Sequence, residues 1–582
     1  MNTTPTSTPS SSPSPAEPHH DVVIMGGGLA GLTLALQLKK RFAGIDVLVV
    51  ERRPHPVPIA AHKVGESSVE IGAHYFDTVL GLKPHLQQAQ LKKFGFRFFF
   101  SEGRRDIDQV TELGASQVLS VQSYQIDRGI FENFLAEEAQ RHGVKFIDGA
   151  VVKELRLAEA GRAGPHRITW RRNVTDDGAN DRTTYGTNDS AHDSTAEAAT
   201  ATWLVDACGR AGMIKRKLGL AQTNAHHCDA VWFRIKDRIT IDDWTDNAEW
   251  RARCTPPERW RSTNHLVGAG YWVWLIPLVS GSHSVGIVAD PSIHSLDTYN
   301  TFDKAMVWLE KYQPRLFDEL DGKRHLLQDF AFFKRFSYGC KQVFSADRWA
   351  LTGEAGLFLD PFYSPGSDFI AIGNTYICEL IARDRAGQPL GAHAQIYDQV
   401  FHSFYESTLA LYTGQYPIFA DPEVLPVKVI WDYTYYWGVL SQMFFHQRLA
   451  DLSSMSKLKD ELAHCQKLNV AVQDFLRVWS AVSKKRNPAV MLDQAALPWF
   501  AELNRSLTDT LDEAGFRERV QQSTEQLRAL AAEILARGCG EHPGLDGSAL
   551  QALLADRCGE VSTQPRGEPG TRAEPMLFAA MA

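Results

Sequence analysis

The first apolar stretch of the chain is short and β-branched, Asp21 to Met25, and is followed by apolar residues at helical spacing from Leu29 to Arg41 and by a second apolar run from Ile45 to Val50. Short apolar runs bounded by turn residues read as strands buried on both faces, and recurrence at i, i+3 and i+4 reads as a helix lying on them. The three segments predict a β-α-β unit. Between about 91 and 206 the pattern mixes strands, Lys93 to Phe100, Val144 to Ile147 and Ile168 to Arg172, with a helix from Asp127 to Arg141. Residues 174–200, rich in Asp, Asn, Thr, Ser and Gly, read as a polar hairpin insertion. From Val231 to Ala289 strands dominate, including Ser284 to Val288, which suits a sheet bounding a chamber. Trp349 to Thr352 is one more buried strand, and a helix runs from near Gly366 to about Arg383. Beyond 391 nearly everything is compatible with helix, including an aromatic stretch from Trp431 to Phe445 and an amphipathic stretch from Arg517 to Arg537.

At 582 residues the chain can bury two or three cores. Residues 1–20, rich in Ser, Thr and Pro, lack a basic start and an apolar core, so they read as a disordered tail and not as a secretory signal. Hydrophobic residues at 44% and charged residues at 22% are ordinary for a globular protein, and a net charge of -8 argues against a nucleic-acid partner. No apolar run reaches the roughly 18 to 20 residues that cross a bilayer. The eight cysteines form no C-x-x-C pair and read as reduced thiols, the usage expected in the cytoplasm. In the run His226, His227, Cys228, Asp229 neighbouring residues on a strand point to opposite faces, so no metal site is assigned.

Chemistry concentrates in a few segments. Gly26-Gly27-Gly28-Leu29-Ala30-Gly31 lies between the first strand and the helix, with Glu51 and Arg52 at the tip of the second strand. In that context the glycines let the backbone approach a pyrophosphate at the helix N-terminus, and Glu51 accepts from a ribose. Leu351-Thr352-Gly353-Glu354-Ala355-Gly356 ends in Asp360-Pro361, and Tyr124-Gln125-Ile126-Asp127-Arg128 opens a helix. The run Gly270-Tyr271-Trp272-Val273-Trp274-Leu275-Ile276-Pro277 places two indoles in alternation, which on its own reads as one face of a core strand.

Taken together these segments resemble the flavin-dependent halogenases over roughly residues 20 to 385. The glycine loop with Glu51 and Arg52, the G-D-A-like Gly353-Glu354-Ala355 with Asp360, the Y-x-x-D-R-like Arg128, and Gly366 correspond to the family's FAD site, with Glu354 in place of the usual Asp. The resemblance implies a Rossmann-like FAD-binding domain of the flavoprotein monooxygenase type over 21–385. It also implies an inserted β-rich substrate region at about 91–340 and a helical C-terminal region at 386–582 over the substrate chamber.

In that family FADH2 from a separate flavin reductase reacts with oxygen to a flavin hydroperoxide, halide is oxidised to hypohalous acid, and a lysine beside the substrate receives it. Lys93 is the matching lysine, Trp272 and Trp274 match W-x-W-x-I-P, and Ser364-Pro365-Gly366 match the halide loop. Val64-Gly65-Glu66-Ser67-Ser68 resembles the family's strap beside the flavin; on its residues alone, Ser67 or Ser68 also suits a helix cap. Two departures stand out: Pro365 has no N–H, and Asp368 adds an acid beside the anion. Tyr363 stands where the free-tryptophan branch carries a catalytic glutamate, so the implied substrate is a phenol- or pyrrole-type ring, free or on a carrier protein. A hydroxylase or a geranylgeranyl-reductase-like flavoprotein is the second enzymatic reading, and a flavin-binding protein without chemistry the third.

Overall fold

A computed structural model describes residues 17–60, 65–161, 164–172, 196–556 and 576–578. The expected tail falls almost wholly outside these residues, as do most of the polar insertion and Val64 of the strap.

The β-α-β expectation is met by the strand His19–Met25, the helix Leu29–Arg41 and the strand Val47–Val50. Parallel to them run Lys145–Ile147 on one side and Glu197–Asp206 on the other, with Trp349–Leu351 beside the latter. His166–Arg172 and Ala150–Arg156 extend the sheet antiparallel. Val22, Val23, Ile24, Val47 and Val49 are fully buried, as both faces of a parallel sheet must be. The ends of His19–Met25 and Glu197–Asp206 lie side by side, the position where such sheets bind ligands.

The second sheet has eight strands in the order Leu327–Phe333, Asp229–Ile235, His283–Ala289, Tyr271–Pro277, Thr263–Gly268, Phe96–Phe99, Glu112–Gly114, Met491–Asp493. The last of these departs from expectation. A strand from the C-terminal region, read as helical, pairs parallel with Glu112–Gly114 and closes the sheet's edge. Three residues are too few to show a period, so only the partner strand reveals it. The predicted strand at Lys93 starts later, at Phe96, because Gly95 at φ +84 turns the chain first.

The rest of the C-terminal region is helical. Val424–Tyr435 continues through a π-helical turn, Tyr436–Ser441, into Gln442–Phe445, and it packs on the long helices Lys459–Val482 and Glu513–Glu541. Trp431 and Trp437 are fully buried there. Among the described residues no helix is long and apolar enough to cross a membrane.

Candidate functional site

The glycine loop is built to admit a ligand at one face only. Gly26 has φ +109, and a Cβ there would lie 2.3 Å from the Ala207 carbonyl oxygen; one at Gly31 would lie 2.0 Å from the Gly26 oxygen. At Gly28 the same construction meets nothing within 4 Å, and no side chain caps the helix that starts at Leu29. Free N–H groups at an open helix start form an anion cradle that fits a pyrophosphate. Leu29 is buried behind the loop and Ala30 is half-buried. Glu51 accepts from Gly27 N–H at 2.6 Å and Arg53 N–H at 2.8 Å, each oxygen keeping a lone pair for a ribose hydroxyl. Arg52 beside it is exposed.

Gly353 packs its turn on Ala30, where an added Cβ would stand 3.0 Å from the alanine methyl, so the two nucleotide motifs meet. Glu354 pairs with Arg210 at 3.2 Å. Sequence reasoning passed over Arg210, although a D-x-x-G-R run closing a buried strand was the available signal. Asp206 holds that turn by accepting from Cys208 N–H at 3.0 Å and Ile214 N–H at 2.7 Å. Arg128 starts its helix, pairs with Glu132 at 2.6 Å and lies under Gly65 of the strap; burial lowers it to about 10.

The strap is fastened to the second sheet residue by residue. Glu66 pairs with Arg234 at 2.5 Å, Ser67 Oγ meets Thr263 Oγ1 at 2.9 Å, and Ser68 exchanges hydrogen bonds with Tyr124. Neither serine caps the helix Glu70–His74, whose N-cap is Val69; they bind Lys93 instead. Lys93 Nζ donates to Ser67 Oγ at 2.9 Å and to the Ser68 carbonyl at 3.1 Å, and lies 3.4 Å from the Phe96 ring centroid. It is 3% exposed, and burial lowers it to about 7 against the opposing pull of Glu70 and Asp368. Lys92, next to it, is exposed.

Asp368 does not face the anion loop. Its Oδ1 accepts from Gly72 N–H at 2.8 Å and its Oδ2 from Tyr436 O–H at 2.7 Å, and burial raises it to about 8, so its charge is muted. In the loop itself, Ser364 at φ +54 spends its N–H on the Pro361 carbonyl at 2.9 Å, and Pro365 has none. The N–H groups of Asp368 and Phe369 go to the Pro365 carbonyl. The donor set therefore shifts from Ser364 and Pro365 to Gly366 and Ser367, the first two residues of an uncapped helix, with the buried and unpartnered Ser367 hydroxyl beside them.

A 60 Å³ cavity opens between this helix start and the aromatic helix, lined by Phe96, Tyr363, Pro365, Asp368, Tyr433 and Tyr436 among others. Neither Lys93 nor the tryptophans line it. Trp272 donates to Tyr416 O–H at 3.0 Å and Trp274 to Ser284 Oγ at 3.1 Å, with their rings 5.6 Å apart. They are buried at 1% and 3%, and Phe362 packs on the Trp272 ring at 5.1 Å.

Asp360 is buried beside the same loop. It is 1% exposed and accepts from His226 at 2.7 Å and Tyr416 O–H at 2.6 Å on Oδ2 and from Phe362 N–H at 2.9 Å on Oδ1, so it fixes the loop. His226 and Cys228 converge with Asp360, their ligand atoms all within 4.8 Å of one another. The strand argument does not reach them, because the strand begins only at Asp229.

Residues 24–89 match the model of the NAD(P)-binding Rossmann-like domain. The chain is 26% identical to the flavin-dependent halogenase chlA of Dictyostelium discoideum, over 62% of this chain and 60% of that protein. It is 24% identical to a 1H-pyrrole-2-carbonyl-[peptidyl-carrier protein] chlorinase of Pseudomonas fluorescens, over 60% of this chain and 72% of that one. The chain thus spans about 60% of the length of the Dictyostelium relative. Among solved structures, the halogenase PltM in complex with phloroglucinol and FAD superposes with a TM-score of 0.58 at 17% identity, over 90% of this chain and 99% of that one. In sequence the chain is similar to flavin-dependent halogenases, and it shares the fold of a solved halogenase.

Proposed function

We propose that this protein is an FADH2- and O2-dependent halogenase that installs chlorine or bromine on an electron-rich aromatic ring, either a free small molecule or one borne by a carrier protein. The observation that carries the reading is Lys93: an amine buried at great cost in solvation, held by the strap that also touches the nucleotide site. FAD would be held by Gly26, Gly28, Leu29, Ala30 and Gly31 at its pyrophosphate, by Glu51 at a ribose, and by Gly353, Glu354 and Arg210 beside the opposing turn. With oxygen and halide, the reduced cofactor supplies the oxidised halogen as hypohalous acid. Its electrons would come from a separate flavin reductase.

Gly366 and Ser367, the first residues of an uncapped helix, would offer two N–H groups to the halide. Near neutral pH Lys93 is available in both forms, the ammonium donating to the hypohalous oxygen and the amine accepting halogen. Trp272 packs on Phe362, with Trp274 behind it, and so steadies the anion loop. Incubation with a flavin reductase, NADH, oxygen, bromide and a phenol tests the reading. Bromine mass shifts are expected, and oxygen incorporation without bromine overturns it. Lys93→Ala should retain FAD and lose brominated product; product at the wild-type rate removes Lys93 from the mechanism.

A further inference from the structure

His226, Cys228 and Asp360 bring a nitrogen, a sulfur and an oxygen within 4.8 Å of one another, and all three side chains are buried. They come from separate parts of the chain. His226 and Cys228 precede the strand Asp229–Ile235 of the second sheet, whereas Asp360 follows the strand Trp349–Leu351 of the first. A carboxylate stripped of water calls for a positive charge. Asp360 is 1% exposed, and among the described residues it meets no lysine or arginine within 4.0 Å; its ion-pair partner is His226, which carries charge only when protonated. The rings of Tyr416, Tyr412 and Phe336 stand 5.6, 6.0 and 6.2 Å from the imidazole and surround it with aromatic carbon. Phe362 N–H at 2.9 Å and Tyr416 O–H at 2.6 Å fix the carboxylate, and the backbone N–H of His226 donates to Asn224 Oδ1 at 3.1 Å. Outer hydrogen bonds that orient the donor groups, inside an apolar shell, are what a metal site requires.

We propose that His226, Cys228 and Asp360 form a structural zinc site. Nitrogen, thiolate sulfur and carboxylate oxygen are the donors that zinc takes, whereas calcium and magnesium take oxygen. One thiolate and one carboxylate balance the dication, so the loaded site buries no net charge. The Cys228 thiol proton leaves to solvent as the metal binds, and the imidazole keeps its one proton on the nitrogen that faces away from the metal. Zinc bonds of about 2.0 Å to nitrogen and oxygen set tetrahedral ligands about 3.3 Å apart. His226 and Asp360, 2.7 Å apart across their hydrogen bond, therefore separate by about 0.6 Å as the cation takes the place of the hydrogen between them. Tyr416 Oη, bonded to the same carboxylate oxygen, stands beside the three as a further oxygen donor. The cation ties the entry to the second sheet to the loop whose Phe362 packs on Trp272, and so pins the two sheets to each other next to the anion loop. The site takes no part in the halogenation steps and does not rest on that reading.

The test uses the full chain, freed of any affinity tag, stripped with a chelator and titrated with zinc or cobalt. Wild type should withdraw one zinc per chain from a chromophoric chelator and melt at a higher temperature once loaded. With cobalt it should show a thiolate-to-metal charge-transfer band and the intense visible bands of a tetrahedral site. Cys228→Ser should lose the charge-transfer band, and both it and His226→Gln should bind zinc more than about 100-fold more weakly, since even the outer partners of a ligand are worth about 10- to 100-fold. Cys254→Ser changes another buried cysteine and should keep both signals. A wild-type chain with neither a charge-transfer band nor a raised melting temperature overturns the proposal, and so does a band that survives Cys228→Ser. Anomalous diffraction at the zinc edge from loaded wild-type crystals decides the matter without any variant: a peak among His226, Cys228 and Asp360 supports the site, and zinc bound only elsewhere overturns it.

Discussion

Lys93 links stability to pH in a direction that its burial dictates. Its value of about 7 lies below the ordinary lysine value, so between about pH 7 and 10.4 the unfolded chain binds the extra proton and stability rises with pH, by up to about 1.4 kcal/mol per unit. Asp368, raised to about 8, works in the opposite sense: the folded chain holds the extra proton between about pH 4 and 8, and stability falls as pH rises through that window. Lys93→Met should flatten the alkaline rise. Chemical denaturation of both proteins from pH 7 to 10 checks this, and parallel curves would refute it. A different cluster is purely structural. Glu112 is fully buried between the guanidinium groups of Arg97 and Arg259, the second at 2.8 Å. Glu112→Gln removes the carboxylate that two buried cations share, leaving Arg259 with Asp242 at 3.7 Å, and should cost about 3–5 kcal/mol in urea denaturation.

Two close approaches at glycines shape the site at the scale of its elements. Helix Glu70–His74 touches the start of Gly366–Arg385 at Gly72, where an added Cβ would stand 2.3 Å from Ser367 Oγ and 3.2 Å from Asp368 Oδ1. Gly72→Ala should push the helices apart, break the hydrogen bond to Asp368 and cost about 1–3 kcal/mol. Bromination of a phenol should fall while FAD stays bound; flavin fluorescence and product yield measured together separate the two. Gly31→Ala acts at the opposite end. Backbone meets backbone there, so FAD binding itself should be lost, and a titration showing wild-type affinity would contradict the described loop.

The C-terminal region is one body with the second sheet. Met491–Asp493 pairs with Glu112–Gly114, Asn487 binds Thr111 N–H at 2.7 Å and the Phe100 carbonyl at 3.0 Å, and Asn504 accepts from Val121 N–H at 3.0 Å. Flavin release and tryptophan fluorescence should therefore report one coincident unfolding transition; two separated transitions would mean that the helices fold alone. The β-α-β unit, the glycine loop, the Trp272 strand and the long helices were legible because their signals are short-range: periodicity, turn residues and a motif between strand and helix. The Met491 strand, Arg210 and the inward turn of Asp360 were not, because each is defined by a partner far along the chain. Lys93 could be singled out from sequence, but its two serines, its ring and its neighbouring acids come from residues 67, 68, 70, 96 and 368. The sequence by itself determined a nucleotide-binding α/β chain carrying a candidate lysine. Only tertiary packing decided that this lysine and Asp368 are stripped of water and share a neighbourhood, because desolvation sums over every group that folding brings near and no local pattern records it.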